Sequence, residues 1–95
     1  MQILHEQKGN KGLFYIEDQA DNHIKAEMVF YMTTPNEMII QHTEVDEALR
    51  GQNIGYQLVQ YAVNYARQHN IKIIPACPFA KSVFDRKPEF SDVLE

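Results

Sequence analysis

The sequence predicts a single mixed α/β domain: an antiparallel meander of about four strands, one long helix, a fifth strand parallel to the fourth, and a short C-terminal helix. Three observations predict it. The first half carries short apolar runs rich in aromatic and β-branched residues, with two-residue alternation in part. Compact polar turns separate those runs, which suits hairpin connections. At Ile54 the apolar spacing switches to the helical period and stays there for four turns.

Residues 2–8 form a short first strand. Gly9-Asn10-Lys11-Gly12 is a turn cluster, and 13–17, Leu-Phe-Tyr-Ile-Glu, is a second strand. Residues 18–22 are a polar turn. In the third strand, 24–33, Ile24, Ala26, Met28, Phe30 and Met32 share one face, while Lys25, Glu27 and Tyr31 take the other. Thr34-Pro35-Asn36 turns the chain into a fourth strand, 38–45. Ile54, Leu58, Tyr61, Ala62, Tyr65 and Ala66 recur at helical spacing, with Gln57, Gln60, Asn64 and Gln68 on the polar side, and Asn70 stops the helix. Residues 71–74 form the fifth strand, ended by Pro75. A strand–helix–strand order implies a right-handed crossover and parallel pairing with the fourth strand. After Pro75 a helix covers 79–86, and the tail from Lys87 is irregular with a final extended piece.

With 95 residues the chain has room for one domain and one modest core. The apolar fraction of 44% and charged fraction of 23% are those of an ordinary folded domain rather than a disordered one. A net charge of −4 argues against a nucleic-acid partner, which needs a concentrated basic surface, and mildly favours a cationic acceptor. The single cysteine, Cys77, excludes an internal disulfide. The N-terminus lacks the features of a signal peptide, and no apolar run approaches the ~20 residues of a membrane span. A reducing, cytoplasmic setting is the expectation. His5, His23 and His69 show no ligand spacing with Cys77, so no metal site is expected.

The most informative segment joins the fourth strand to the long helix: Arg50-Gly51-Gln52-Asn53-Ile54-Gly55. A helix start presents unpaired N–H groups and partial positive charge, and glycines let that backbone approach a ligand. Such a turn suits a phosphate or pyrophosphate, with Arg50 adding a charged contact or bracing the loop. The competing reading is a tight turn with Gly55 packed against the sheet. A P-loop does not fit, because no Gly-Lys-Ser/Thr ending is present. A dinucleotide-binding fold does not fit either, because a meander precedes the turn.

This segment resembles the acyl-CoA-binding turn of the GNAT superfamily of N-acetyltransferases, Arg/Gln-x-x-Gly-x-Gly/Ala. With His42-Thr43-Glu44-Val45 before it and Pro75-Ala76-Cys77-Pro78-Phe79 after it, the chain is similar to the very short, single-domain branch of that superfamily over roughly residues 10–90. The resemblance implies a minimal GNAT fold across 1–95 and acetyl-CoA as co-substrate, with no metal. The activity implied is transfer of an acetyl group to a primary amine by direct attack; the alternative is a module that holds CoA or acyl-CoA without turnover. Coenzyme A would lie between the splayed ends of the fourth and fifth strands. Its pyrophosphate would rest on the amides of Gln52, Asn53, Ile54, Gly55 and Tyr56, beside Arg50 and Gly51. An amide near Val45 would polarise the thioester carbonyl. Asn53 stands where the superfamily turn has its first glycine; Asn tolerates left-handed backbone, but its side chain crowds the phosphate approach.

Candidate side chains follow. His42 and Glu44, two apart on one strand, share a face, and either could accept the amine's proton; otherwise they belong to a solvated strand face. Cys77 would lie near the thioester, where it could protonate the leaving thiolate or carry the acyl group; otherwise it is a buried apolar group. Superfamily members often place a tyrosine in that region, where this chain has Phe79 and Phe84. Lys81, Arg86 and Lys87 could reach the ribose phosphate of CoA, or form a solvated face. The N-terminal helices of larger members are missing from the sequence, so an open acceptor groove is expected. That suits an exposed amine on a protein or polyamine, handled by a monomer or weak homodimer.

Overall fold

A computed structural model of the chain describes residues 2–18 and 20–95. Five strands form one sheet in sequential order: β1 (Leu4–Lys8), β2 (Lys11–Glu17), β3 (Ile24–Thr34), β4 (Glu37–Val45) and β5 (Lys72–Pro75). The first four pair antiparallel and β5 joins β4 in parallel. Two helices, α1 (Ile54–His69) and α2 (Pro78–Arg86), follow β4 and β5 respectively. The mixed α/β class, the meander and the parallel fifth strand are as the period change predicts.

Local details differ from the expectation for identifiable reasons. Strand β2 begins at Lys11 rather than Leu13, because Lys8 pairs with Lys11 and the turn shrinks to Gly9-Asn10. Gly9, the first residue of that turn, has φ 62, which a glycine accepts without a Cβ penalty. In the expected 18–22 turn the Asn22 N–H donates to the Asp18 carbonyl at 2.7 Å; Gln19 lies outside the described residues. The tail from Lys87 is ordered rather than irregular. A 3-10 turn spans Pro88–Val93, and Leu94 makes a parallel bridge to Ile73. Phe90 and Val93, three residues apart, fall on one side of a three-residue-per-turn helix and are both buried. Arg67 clamps this turn to α1, donating to both Asp92 carboxylate oxygens at 2.9 and 2.8 Å and to the Glu89 carbonyl at 2.8 Å.

One sheet face forms the core. Phe14, Ile16, Ala26, Met28, Phe30, Met38 and Ile40 point to it, and α1 covers it with Leu58, Val59, Ala62, Val63 and Ala66. Each fully buried Leu or Val there contributes ~1.5–3 kcal/mol. The sequence reading found Leu58, Ala62 and Ala66 but not Val59 and Val63. The helix lies flat against the sheet and buries a wider stripe than its aromatic residues suggest. Tyr61 and Tyr65 are half-buried at the margin, against Phe14 at ring-centroid distances of 5.0 and 5.5 Å. His5 closes the same aromatic cluster, edge-on to Phe14 at 5.0 Å.

Candidate functional site

The β4–β5 ladder is short. It runs from Glu37 opposite Lys72 to Ile40 opposite Pro75. There the Ile40 carbonyl accepts from both the Ala76 and the Cys77 amides, each at 3.0 Å, and the two chains part. Strand β4 continues to Val45 with β3 beside it and no β5 partner.

A register shift in β4 decides which side chains face that gap. Phe30 pairs with Ile40, but Val29 pairs with His42, so Gln41 is an extra residue in β4. The parity of the strand therefore flips. Met28, a core residue, pairs with Thr43, and Ala26 pairs with Val45, so Thr43 and Val45 take the helix-covered face. His42 and Glu44 pair with Val29 and Glu27 on the opposite face. The Asp46 amide donates to the Lys25 carbonyl, so by alternation the backbone groups of Thr43 and Val45 point away from β3, toward the gap.

A groove of about 470 Å³ occupies the gap, with Thr43 and Val45 as its floor, Asn53 and Gly55 at its head, and Phe79 and Arg86 across it. The head is the start of α1. Gln57 makes the first helical hydrogen bond, to the Asn53 carbonyl at 3.0 Å, which leaves the amides of Ile54, Gly55 and Tyr56 as the unpaired donors of the first turn. Asn53 caps the helix in the left-handed region, φ 60, and its side chain makes no capping hydrogen bond. Gly51 also has positive φ, 84, in open space. The loop before it is braced twice. Asp46 accepts from the Ala48 amide at 2.9 Å, and Arg50 Nε donates to the Val45 carbonyl at 3.4 Å.

Gly55 owes its identity to packing. A Cβ built there would lie 2.6 Å from Cζ of Phe79, closer than real atoms approach. Phe79 itself is one of two large apolar side chains left exposed among the described residues, at 38%. Its ring rests on Gly55 and borders the groove.

Cys77 lies beside Thr43 and does not itself line the groove. It is the residue before α2, with Pro78 in the first helical turn. It is 5% exposed, and its Sγ lies 3.6 Å from Thr43 Oγ1. Burial pushes the thiol up, but the Ala80 amide, the Thr43 hydroxyl and the Phe79 and Thr43 amides outweigh it, and the thiol sits below its ordinary value. The start of α2 is thus a second cluster of N–H groups, aimed at a sulfur.

The groove brings together Cys77's neighbour Thr43 with Glu44, Val45, Arg50, Gly51, Asn53, Ile54, Gly55 and Tyr56. Gln52 does not line it. Neither does Lys81, whose Nζ lies 3.6 Å from Asp85 on the exposed side of α2; Arg86 borders the groove instead, one turn further along the helix. His42 is exposed, bonded to Glu44 at 3.2 Å, on the sheet face opposite Cys77. Thr43 and the ring of Phe79 were not assigned to the site from sequence. The signal available was the pattern Met38-x-Ile40-x-His42-x-Glu44: strict alternation would bury two polar side chains, which a one-residue shift in the strand avoids. Among the described residues no group of three or more His, Cys, Asp or Glu is placed to hold a metal ion, and no helix is long and apolar enough to cross a membrane.

A meander opened by a bulge in β4, a parallel β5 that diverges, and a bare helix start at the divergence together define an acyltransferase-type fold. Residues 13–93 match the GCN5-related N-acetyl-transferase family, and the chain belongs to it. Among solved structures, the chain is 37% identical to a GCN5-like protein of Staphylococcus aureus, with a TM-score of 0.74 over 99% of this chain and 87% of that one. A GNAT family acetyltransferase from Elizabethkingia anophelis, solved with acetyl-CoA bound, shares the fold at 20% identity and TM-score 0.59, covering 83% of this chain and 53% of that one. Glucosamine-6-phosphate N-acetyltransferase from Arabidopsis thaliana shares it at 20% identity and TM-score 0.62, covering 82% and 58%. The chain spans little more than half the length of these two proteins. No curated protein gave a match to the sequence.

Proposed function

We propose that this protein transfers an acetyl group from acetyl-CoA to a primary amine. One observation carries the reading: a single groove has unpaired helix amides at its head and a floor of strand amides that lack a partner strand, and its floor residue Thr43 touches the buried Cys77 thiol. That is the arrangement a pyrophosphate-bearing thioester requires. The phosphates would sit at the amides of Ile54, Gly55 and Tyr56, where Arg50 is near. The acyl-bearing arm would run along Thr43 and Val45, whose outward backbone groups could pair with it as a missing strand would. The solved relative from Elizabethkingia anophelis that holds acetyl-CoA supports the choice of donor.

In the reaction the amine nitrogen attacks the thioester carbonyl carbon, and a C–N bond forms as the C–S bond breaks. The CoA sulfur leaves with the electron pair and takes up a proton, and the amine nitrogen loses one. The amide of Val45 or Thr43 would stabilise the developing oxyanion. Cys77 gives a proton to the leaving sulfur; alternatively its sulfur attacks the thioester first, CoA leaves as the thiol, and the amine then displaces the Cys77 sulfur from the acyl carbon. Glu44, which borders the groove, is better placed than His42 to accept the amine's proton. The acceptor is an exposed amine, on a protein or a polyamine, because the groove mouth beside Glu44 opens on solvent.

Calorimetry with acetyl-CoA, followed by thiol release in the presence of an amine panel, tests the reading. No binding at millimolar ligand would end it. Binding without amine-dependent thiol release would leave a CoA-holding module, a reading that the solvent exposure of the His42–Glu44 pair favours.

A further inference from the structure

The groove does not stop at the start of α1. A second hollow, of about 330 Å³, continues from it and shares Asn53, Tyr56 and Arg86 with it. Val83 and Lys87 complete its lining. This extension differs from the rest of the surface in charge. The chain carries 13 acidic and 9 basic residues, yet no carboxylate lines the extension, and two cations do. Both are positioned. Lys87 is half-buried, with Nζ held 5.1 Å from the Tyr56 ring centroid, and the Tyr56 ring is backed by Phe90 at 6.1 Å. Arg86 donates through Nε to the Ser82 carbonyl at 3.3 Å, which leaves its remaining N–H groups for other partners. Among the described residues neither cation forms an ion pair, whereas Lys81 on the same helix is paired with Asp85.

The order of chemistry along the continuous groove is Thr43 with the thiol behind it, outward strand amides, helix-start amides, aromatic ring, then two cations. Coenzyme A presents its groups in the same order: thioester, amide-rich arm, pyrophosphate, adenosine and, on the ribose, a 3′-phosphate. Arg86 borders both hollows and Lys87 only the extension, so the pair stands at the far side of the pyrophosphate position, where the ribose phosphate has charge to match them. We infer that Arg86 and Lys87 form a 3′-phosphate subsite that makes this protein select coenzyme A over its 3′-dephospho form. The inference rests on the acyl-CoA reading, and it assigns specificity to two residues outside the glycine turn. Arg86 supplies directional N–H donors, and Lys87, steadied on Tyr56, supplies a charge.

The test is calorimetric titration of the protein with CoA and with 3′-dephospho-CoA, at fixed low salt, for the wild type and for Arg86→Ala, Lys87→Ala and the double variant. Wild type should bind CoA about tenfold more tightly than the dephospho form, the effect expected of charge-assisted contacts at a partly solvated site. The double variant should reduce that ratio to about two by losing more affinity for CoA than for the dephospho form. Arg86→Lys and Lys87→Arg should keep most of the preference, and thermal unfolding of each variant checks that the fold is intact. Equal affinities in the wild type, or an unchanged ratio in the double variant, would overturn the subsite and leave the acyl-CoA reading standing. Failure of the wild type to bind either ligand would overturn both.

Discussion

Gly55→Ala separates stability from ligand binding at one atom. The added methyl would lie 2.6, 2.8 and 3.4 Å from three ring carbons of Phe79, so the ring has to move. Overpacking a core costs ~1–3 kcal/mol, but this ring is 38% exposed, which places the cost at the lower end. Gly55 does not have positive φ, so alanine adopts its backbone without strain. Replacing a helical glycine also recovers up to ~1 kcal/mol of helix propensity. The two terms nearly cancel, and denaturant unfolding should show a stability change within about 1 kcal/mol. Binding should change more. The methyl blocks the ring on one side, so it swings into the groove it borders, and acetyl-CoA affinity should fall about tenfold, roughly 1.4 kcal/mol. Removing the ring in the Gly55→Ala/Phe79→Ala double variant should restore part of that loss, a coupling only neighbours show. Unchanged affinity in Gly55→Ala, measured by calorimetry, would refute the placement of the ligand against this helix start.

Other consequences are as direct. Gly12→Ala places a Cβ within 2.1 Å of the Phe30 ring, which is fully buried and has nowhere to go, so it should destabilise the fold by about 1–3 kcal/mol or more in chemical denaturation. Cys77→Ala should leave acetyl-CoA binding unchanged and slow amine-dependent thiol release; unchanged rates would remove the thiol from the mechanism. Thiolate absorbance of this sole cysteine should titrate below the ordinary thiol range, and Thr43→Val should move the midpoint upward by removing a hydroxyl that favours the thiolate. Arg67's hydrogen bonds hold the Asp92 carboxyl below its usual range. A depressed carboxyl contributes stability above its unfolded-state pKa and loses it as pH falls through the folded value. Asp92→Asn should therefore be less stable than wild type at neutral pH, and the gap should close on acidification below about pH 4; a gap that persists there would show that the pairing is not the cause.

Several features of the site were legible because they depend on local chemistry. Asn53 reads as a residue able to stand in left-handed backbone before a helix, and it does so with φ 60. Arg50 reads as a ligand contact or a brace; its Nε donates to the Val45 carbonyl. Lys81 illustrates the opposite case. Residues 81, 86 and 87 look equivalent as cations near the end of a helix, but helix rotation against β5 turns Arg86 and Lys87 toward Tyr56 and leaves Lys81 with Asp85. The bulge at Gln41 is another. Counting by twos along β4 keeps His42 and Glu44 together but puts them on the core face with Met38 and Ile40; the extra residue turns them to the opposite one.

By itself the sequence determined the class of fold, the place where the pattern changes from strands to helix, the glycine turn and the absence of an internal disulfide, because each follows from near neighbours, periodicity or a count. Tertiary structure decided the rest: that Thr43 rather than His42 meets Cys77, that Gly55 makes room for an aromatic ring, and that the tail binds α1 through Arg67 and Asp92. Those outcomes depend on pairing register and helix rotation, and both are set by how the whole core packs together.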